Sequence, residues 1–267
     1  TGHKEEEEDN PELLHIICNS LEKDYNVFSA VDGQEGLKLA IENNPDLVVS
    51  DIMMPGISGY EVCKTLKGDI KTCHIPVILL TAKIGKESQI EGFEAGADIY
   101  ITKPFEFEVL EAQIRSLINN RNRMVERFRG NIDFQEVVSE FTSLDEQFLK
   151  KAIRLIENNI SNPDFNLTAF QEEMCVTSSM LYRKFKALTG MPPLEFIRKI
   201  RLEAAVEIMK RKKCSTSEIA YAVGYNDPKY FSACFKKELG MHPSEYMERF
   251  INGGKSENDE ENPVKDR

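Results

Sequence analysis

The chain has 267 residues, 41% of them hydrophobic, and carries a net charge of −11 at pH 7. This length favours two domains over one, and the apolar content excludes a wholly disordered chain. No apolar stretch is long enough for a membrane span, and the N-terminus lacks the pattern of a secretory signal. Six scattered cysteines without a CxxC pair argue against a zinc site or a disulfide framework. We expect reduced thiols in a cytoplasmic protein without membrane contact.

Charge is distributed unevenly along the chain. Residues 1–145 hold 14 Lys and Arg against 27 Asp and Glu, whereas residues 146–250 hold 17 against 13. The tail 251–267 holds 3 against 5, and we predict that it is disordered and acidic. An acidic half followed by a basic half indicates that only the second half meets a polyanion, although this excess is also ordinary for a domain of that size.

The first half alternates short apolar runs, rich in β-branched residues, with amphipathic stretches. The runs predict strands at residues 27–31, 47–50, 76–81 and 98–102. The stretches predict helices at residues 35–43, 60–67, 86–95 and 107–118. This alternation is typical of βαβ units and of a parallel sheet that is covered on both faces. The chemistry of such folds lies beyond the carboxyl ends of the strands, where Asp51, Thr81 and Lys103 follow.

Residues 8–118 resemble the receiver domain of response regulators, the CheY-like family. The matching motifs are the acidic pair in EEDN, Asp51 in SDIMMPGISG, Thr81 in LLTAK, and Tyr100 with Lys103 in YITKPF. The intervals of 30 residues from Asp51 to Thr81 and of 22 from Thr81 to Lys103 also match the family. The resemblance implies a doubly wound, flavodoxin-like α/β fold with a five-stranded parallel sheet.

The same resemblance implies a phosphorylation site with a magnesium ion. Asp51 is the implied phosphoacceptor, and Asp9, Asp51 and the Met53 carbonyl are the implied Mg²⁺ ligands, with Glu8 acting through water. An aspartate can act as a nucleophile toward a phosphoryl group, and phosphoryl transfer needs mainly charge neutralisation. Clustered carboxylates hold a hard Mg²⁺ ion, which supplies part of that neutralisation.

Three further residues have roles that the resemblance implies. Lys103 pairs with one phosphoryl oxygen, and the Thr81 hydroxyl bonds to another. Tyr100 swings inward as that hydroxyl moves, which biases a surface between two states. Pro104 corresponds to the cis proline of the family and fixes the direction of Lys103.

The first strand of the receiver departs from the family pattern. Residues 5–8 are four glutamates, where the family has an apolar central strand. Burying these charges costs several kcal/mol, so the first strand is in doubt. An alternative interpretation is therefore a degenerate receiver that only mediates protein contacts, with DNA binding that is independent of phosphate. The start of the chain, TGH, is typical of an expression-tag remnant.

We divide the chain into a receiver domain at residues 1–120, an extended helix and linker at 121–145, a second domain at 146–250 and the tail. The helical pattern that begins at residue 107 continues through Met124 to Phe128 and is followed by a segment without a clear period.

The second half is predicted to be all-helical and contains a repeat. Residues 177–197 and 227–247 align at an offset of 50. Six residue pairs are identical between the copies, namely Phe185/Phe235, Lys186/Lys236, Gly190/Gly240, Met191/Met241, Pro193/Pro243 and Glu195/Glu245. Each copy follows a short amphipathic helix, at 167–174 or 217–223. Thr177 and Asp227 are natural N-caps, which predicts two helix-turn-helix units.

One helix at residues 194–210 is predicted to link the two units. It spans about 25 Å at 1.5 Å per residue. That length can hold two recognition helices roughly 34 Å apart, one turn of DNA, on one face. The geometry fits a single chain that reads two successive major grooves.

Residues 146–249 resemble the AraC-type DNA-binding domain, through VTSSMLYRKFKALTG and IAYAVGYNDPKYFSACFKKELGMHPSEY. The resemblance implies a groove-facing set on the first recognition helix, Ser179, Tyr182 and Arg183. It implies a second set on the second recognition helix, Lys229, Tyr230, Ser232 and Ala233. Arg183 can read guanine, and Lys186, Lys236 and Lys237 can hold phosphates. The alternatives are a solvated surface charge for Arg183 and partial packing for Tyr182.

A receiver followed by an AraC-type domain resembles the C-terminal part of Bacteroides-type hybrid two-component regulators, and a stand-alone response regulator has the same order. Either case implies a transcription regulator that a histidine kinase phosphorylates, that binds double-stranded DNA and that forms a homodimer when activated. No enzymatic activity is expected beyond formation and hydrolysis of the aspartyl phosphate, because no other nucleophile and base or Gly-rich loop is recognisable.

Overall fold

The computed structural model of the protein describes residues 10–82, 95–130, 138, 141, 143–211 and 214–252. The described chain forms two compact units, one of residues up to Phe148 with Ala187–Gly190, the other of Leu149–Lys186 with the residues from Met191 onward. The helix predicted at 86–95 and the predicted tail lie almost wholly outside the described residues. Across the described ranges, no helix has both the length and the apolar content to cross a bilayer.

The first unit contains a parallel sheet with helices, as predicted. Its elements in chain order are α1 (Asn10–Leu21), α2 (Gly33–Asn43), β1 (Val48–Asp51), α3 (Gly59–Gly68), β2 (Val77–Thr81), β3 (Ile99–Thr102) and α4 (Phe107–Gly130). The strand order is β1-β2-β3, and both pairs are parallel. Val48 lies opposite Val77, and Ile78 lies opposite Ile99. Strands are therefore present where the continuous apolar runs predicted them, at residues 47–50, 76–81 and 98–102. This confirms the α/β fold class of the first unit.

The sheet differs from the prediction in its strand count, because three strands rather than five lie within the described residues. Residues 27–31 form no strand. Val31 is 72% exposed and Phe28 is 52% exposed, so this apolar run is not covered as a sheet strand would be. Its predicted neighbour, the first strand, falls in residues 1–9 and lies outside the described residues. Without a described neighbour, β propensity alone does not make a strand.

The core of the first unit lies on both faces of β2, which is buried along its whole length. Ile78 and Leu80 pack in one cluster with Leu110 and Ile114 of α4. The alternate residues Val77 and Leu79 pack in the other cluster with residues of α3. The period of two sends successive side chains to opposite faces of the sheet. In the second cluster, burial raises the pKa of the Cys63 thiol to about 11, so this cysteine is a protonated core residue.

From residue 143 onward the described chain is helical. The helices are α5 (Ser143–Asn158), α6 (Leu167–Met174), α7 (Ser178–Thr189), α8 (Pro193–Arg211), α9 (Thr216–Ala222), α10 (Pro228–Leu239) and α11 (Pro243–Tyr246), followed by a π-helical segment (Met247–Asn252). The pairs α6–α7 and α9–α10 are the two predicted helix-turn-helix units, and α8 is the predicted linking helix.

Capping residues fix the ends of the two recognition helices, α7 and α10. The backbone N–H of Met180 donates to Thr177 Oγ1 at 3.3 Å, and that of Lys229 donates to Asp227 Oδ1 at 2.8 Å. Pro228 occupies the first turn of α10, where its missing N–H has no consequence. Gly240 ends α10 in the left-handed conformation. The predicted caps are confirmed, because each satisfies backbone groups that a helix end leaves open.

Candidate functional site

The ends of the three strands bring together the residues that the strand pattern singled out. Asp51 is the last residue of β1, Thr81 the last of β2, and Lys103 directly follows β3. Lys103 Nζ donates to Asp51 Oδ2 at 2.6 Å. The Lys103 backbone N–H donates to the Thr81 carbonyl at 2.6 Å, which holds the lysine beside the end of β2. The parallel register thus brings Asp51 and Lys103, 52 positions apart in sequence, together as a close ion pair.

The ion pair between Asp51 and Lys103 is largely shielded from water. Each of the two side chains is 12% exposed. Partial burial strengthens the attraction, because the surroundings screen it less than bulk water does. The second carboxylate oxygen, Asp51 Oδ1, accepts a hydrogen bond from the Met53 N–H at 3.1 Å. Both oxygens of the carboxylate are therefore oriented, while the side chain keeps a path to solvent.

The loop after Asp51 approaches α3 at Gly59. The Gly59 N–H donates to the Ile52 carbonyl at 3.2 Å, which closes the loop tightly. A Cβ atom on Gly59 would lie 2.2 Å from the Asp51 carbonyl oxygen. A capping box follows, in which Ser58 and Glu61 exchange hydrogen bonds. Those bonds hold the pKa of Glu61 below its usual range.

The predicted metal ligands are only partly within the described residues. Asp51 and Met53 are present, and the carboxylate and the main-chain carbonyl are the hard oxygen donors that Mg²⁺ prefers. Glu8 and Asp9 lie outside the described residues. Among the residues that the structure describes, no three His, Cys, Asp or Glu side chains form a group that could hold a metal ion. The oxygen donors of Asp51 and Met53 suit Mg²⁺ chemically, but they are only part of the predicted ligand set.

Tyr100, the predicted switch residue, bonds to a residue that the sequence analysis missed. Its hydroxyl lies 2.9 Å from the hydroxyl of Tyr60, the second residue of α3. In the sheet, Tyr100 lies opposite Leu79, and Leu79 is two residues before Thr81 in β2. The sequence signal that could have identified Tyr60 is a tyrosine in the first turn of α3, the helix that follows the Asp51 loop. The peptide bond between Lys103 and Pro104 is cis, as the resemblance implied.

The first recognition helix, α7, presents the predicted residues on one face. Ser179, Tyr182, Arg183 and Lys186 are all exposed. Their spacing of three, one and three residues places them on one side of a helix. Leu181 and Phe185, between them, are buried. The exposed row is a polar and basic surface of the kind that meets DNA.

The second recognition helix, α10, presents a similar row with one exception. Lys229, Tyr230, Lys236 and Lys237 are exposed as predicted, and so is Ala233. Ser232 is half-buried, and its hydroxyl donates to the Pro228 carbonyl at 2.9 Å. A helical serine can bond back to the preceding turn in this way, and the groove-facing role of Ser232 stays a prediction.

Tyr230 has neighbours that hold its ring. It lies 6.0 Å from the ring of Tyr225, and the Arg198 guanidinium lies 5.8 Å from its centroid. Desolvation, with a smaller contribution from Cys234, raises the pKa of the Tyr230 phenol. The ring is 48% exposed, so Tyr230 is both packed and accessible.

Comparison with known families matches these two sites to two domains. The profile of the response regulator receiver domain matches residues 7–115, and that of a helix-turn-helix domain matches residues 171–249. The first match contains Asp51, Thr81 and Lys103, and the second contains both recognition helices.

Several proteins are similar to this chain over part of their length. The protein named Histidine kinase P4 of Formosa agariphila is 41% identical over 243 residues, which are 91% of this chain and 18% of that protein. The DNA-binding dual master transcriptional regulator RpaA of Synechocystis is 40% identical over 118 residues, 44% of this chain and 49% of that protein. The solved receiver domain of the Francisella response regulator 1452 is 34% identical, with a TM-score of 0.40 over 42% of this chain and 92% of that one. The chain thus spans half or less of the first two proteins.

Proposed function

Because residues 7–115 belong to the response regulator receiver family and residues 171–249 to a helix-turn-helix family, we propose that this protein regulates transcription within a two-component phosphorelay. Phosphorylation of Asp51 by a histidine kinase controls its sequence-specific binding to DNA. The observation that carries the proposal is the shielded pair of Asp51 and Lys103 at the carboxyl end of the parallel sheet. There the aspartate can accept a phosphoryl group, and the lysine is close enough to pair with one of its oxygens.

The chemistry at Asp51 is a phosphoryl transfer. One carboxylate oxygen forms a bond to phosphorus while the bond from phosphorus to the phosphohistidine nitrogen breaks, and the histidine leaves. Lys103 Nζ, now 2.6 Å from the carboxylate, then pairs with an oxygen of the bound phosphoryl group. The Thr81 hydroxyl bonds another oxygen. Asp51, the Met53 carbonyl and Asp9, with Glu8 acting through water, would hold a Mg²⁺ ion, which would supply further charge neutralisation.

Tyr100 carries the signal from the pocket to the surface. The hydrogen bond between the hydroxyls of Tyr100 and Tyr60, 2.9 Å apart, holds the Tyr100 phenol in one arrangement. When the Thr81 hydroxyl turns toward the phosphoryl group, Tyr100 moves inward and that bond breaks. The surface around β3 then favours pairing of two receivers, which brings two DNA-binding domains together.

Direct DNA contact belongs to the exposed rows of α7 and α10. Arg183 presents a guanidinium that can pair with guanine through two hydrogen bonds. Lys186, Lys236 and Lys237 hold phosphates, which adds affinity without sequence information. The partners are double-stranded DNA, a histidine kinase and, after activation, a second copy of the chain. A regulator with these partners works in the cytoplasm, and it is not an enzyme beyond turnover of its own aspartyl phosphate.

Replacing Asp51 by asparagine tests the receiver part of the proposal. We expect the wild-type chain to gain the mass of one phosphate on incubation with acetyl phosphate and Mg²⁺, and Asp51→Asn to gain none, because an amide is not a nucleophile toward phosphorus. Intact mass spectrometry reads the result. Asp24→Asn, an exposed acid in the same unit, is the matched control and should incorporate phosphate as the wild type does.

If the wild-type chain incorporates no phosphate, the receiver is silent and the alternative of phosphate-independent DNA binding replaces the proposal. The run of glutamates at residues 5–8 is the feature that favours this alternative. Incorporation that persists in Asp51→Asn would assign the phosphoacceptor to another residue.

A further inference from the structure

The linking helix α8 carries an arginine in its interior that sequence analysis did not single out. Arg201 is 9% exposed, although it sits among the apolar residues that form the core. Burying a guanidinium is unfavourable unless its N–H groups find acceptors, and here desolvation lowers its pKa. A leucine or methionine would fill the same volume without that penalty. We therefore expect Arg201 to have a function that an apolar side chain could not perform.

The Arg201 guanidinium donates to backbone carbonyls from two separate turns. Nη1 donates to the Gly224 carbonyl at 3.1 Å. Nη2 donates to the Asn162 carbonyl at 2.7 Å and reaches the Phe165 carbonyl at 3.5 Å. Hydrogen bonds from a charged donor in a shielded setting are stronger than neutral ones. The planar fork of the side chain lets one residue bridge both turns.

One of these turns lies inside the second helix-turn-helix unit, and the other leads into the first. Gly224 lies in the turn between α9 and α10, inside the second unit. Asn162 and Phe165 lie in the turn that leads from α5 into α6, the first helix of the first unit. Arg201 thus joins the entry of one unit to the turn of the other.

The turn at Gly224 is shaped around this guanidinium. Gly224 has a φ of +76°, a left-handed conformation that favours glycine. A Cβ atom there would lie 2.5 Å from the Ile160 carbonyl oxygen and 3.0 Å from Arg201 Cζ. The absence of a side chain at Gly224 is what allows the turn to reach the arginine.

Neighbouring cations of α8 reach the second recognition helix directly. Arg198 lies over the Tyr230 ring, and Lys199 Nζ lies 3.9 Å from Glu238 Oε1. These two contacts hold α10 against the linking helix, and Arg201 in addition reaches the entry of the first unit through the carbonyls named above. Its role is thereby distinct from packing of α10 alone.

We propose that Arg201 is a positioning residue that fixes the two helix-turn-helix units relative to each other, so that both recognition helices engage one duplex. It is too buried to contact DNA itself. The inference rests on the proposed function, since it concerns how the same two helices meet successive major grooves. Two contacts on one chain give avidity only when their spacing allows both to form together.

The test compares Arg201→Met, Arg201→Lys and wild type as full chains on two duplexes. The first is the duplex that the wild-type chain selects from a random pool, hereafter the selected duplex. The second is the same duplex with one half-site scrambled. Arg154→Met, which removes an exposed arginine of the same unit, is the matched control. Affinities are measured at one fixed salt concentration, because DNA binding depends steeply on salt.

For Arg201→Met we expect affinity for the selected duplex to fall at least about tenfold, toward that of the scrambled duplex, because simultaneous engagement is lost. Affinity for the scrambled duplex should not change. Arg201→Lys keeps the charge but cannot bridge both turns. Its affinity for the selected duplex should therefore lie between those of Arg201→Met and wild type. Arg154→Met should behave as wild type on both duplexes.

Unchanged affinity of both Arg201 variants for the selected duplex would overturn the inference. So would an equal loss on both duplexes, since that is the sign of a damaged domain rather than of lost positioning. If Arg201→Met does not fold, Arg201→Lys decides between these outcomes. If the wild-type chain selects no duplex, the proposed function fails first and the inference falls with it.

Discussion

Replacing Phe185 by alanine is expected to lower the free energy of unfolding of the helical unit by about 3–5 kcal/mol. Phe185 is fully buried in the first helix-turn-helix unit. Its ring lies 5.7 Å from that of Phe170 on α6 and 4.9 Å from that of Phe196 on α8. Truncation removes contacts to both helices and leaves a cavity that the rigid surroundings cannot close. Urea denaturation followed by circular dichroism measures the change.

Tyr182, one turn earlier on the same helix, provides the matched control for Phe185. Its side chain is 51% exposed. Tyr182→Ala should change the free energy of unfolding by no more than about 0.5 kcal/mol. The same substitution should weaken binding to the selected duplex, because it removes part of the proposed DNA-contacting face. Equal destabilisation by the two substitutions would contradict the assignment of core and surface on α7.

Replacing Gly59 by alanine is expected to destabilise the receiver unit and to reduce phosphate incorporation. The new Cβ would lie 2.2 Å from the Asp51 carbonyl oxygen, 2.9 Å from the Asp51 carbonyl carbon and 3.0 Å from Ile52 Cα. All three are backbone atoms, so no side chain can rotate away to relieve the clash. We expect a loss of about 1–3 kcal/mol or more in the free energy of unfolding. Denaturation and intact mass measure the two effects.

Gly68, at the other end of α3, is the control for Gly59. A Cβ there would meet no atom within 4 Å. Gly68→Ala should leave phosphate incorporation unchanged and should stabilise the helix by up to about 1 kcal/mol, because alanine has the higher helix propensity. If Gly59→Ala behaves as Gly68→Ala does, the close approach of α3 to the phosphoacceptor loop is wrong.

The predictable part of the fold follows from strong local patterns. The apolar runs at residues 76–81 and 98–102 became β2 and β3, because they are β-branched and lie inside the sheet. The helix at 167–174 was predicted to the residue, since Asn166 caps its start. The repeat at an offset of 50 identified both helix-turn-helix units, because it preserves the buried phenylalanines, Phe185 and Phe235, in both copies.

The rest depends on contacts that no local pattern encodes. The Tyr60–Tyr100 bond joins residues 40 positions apart, and the Arg201–Asn162 bond joins residues 39 apart. Residues 27–31 have strand propensity but no described strand beside them. Pairing across the fold decided each case, whereas the candidate site itself followed from residues at strand ends.

The most direct test of phosphorylation control is the affinity of the full chain for the selected duplex with and without acetyl phosphate and Mg²⁺. Salt is held constant, and Asp51→Asn is run in parallel. We predict that phosphorylation tightens binding at least about tenfold through receiver pairing, and that Asp51→Asn removes this gain. An affinity that stays the same while intact mass shows a phosphate on Asp51 would contradict control of DNA binding by the receiver.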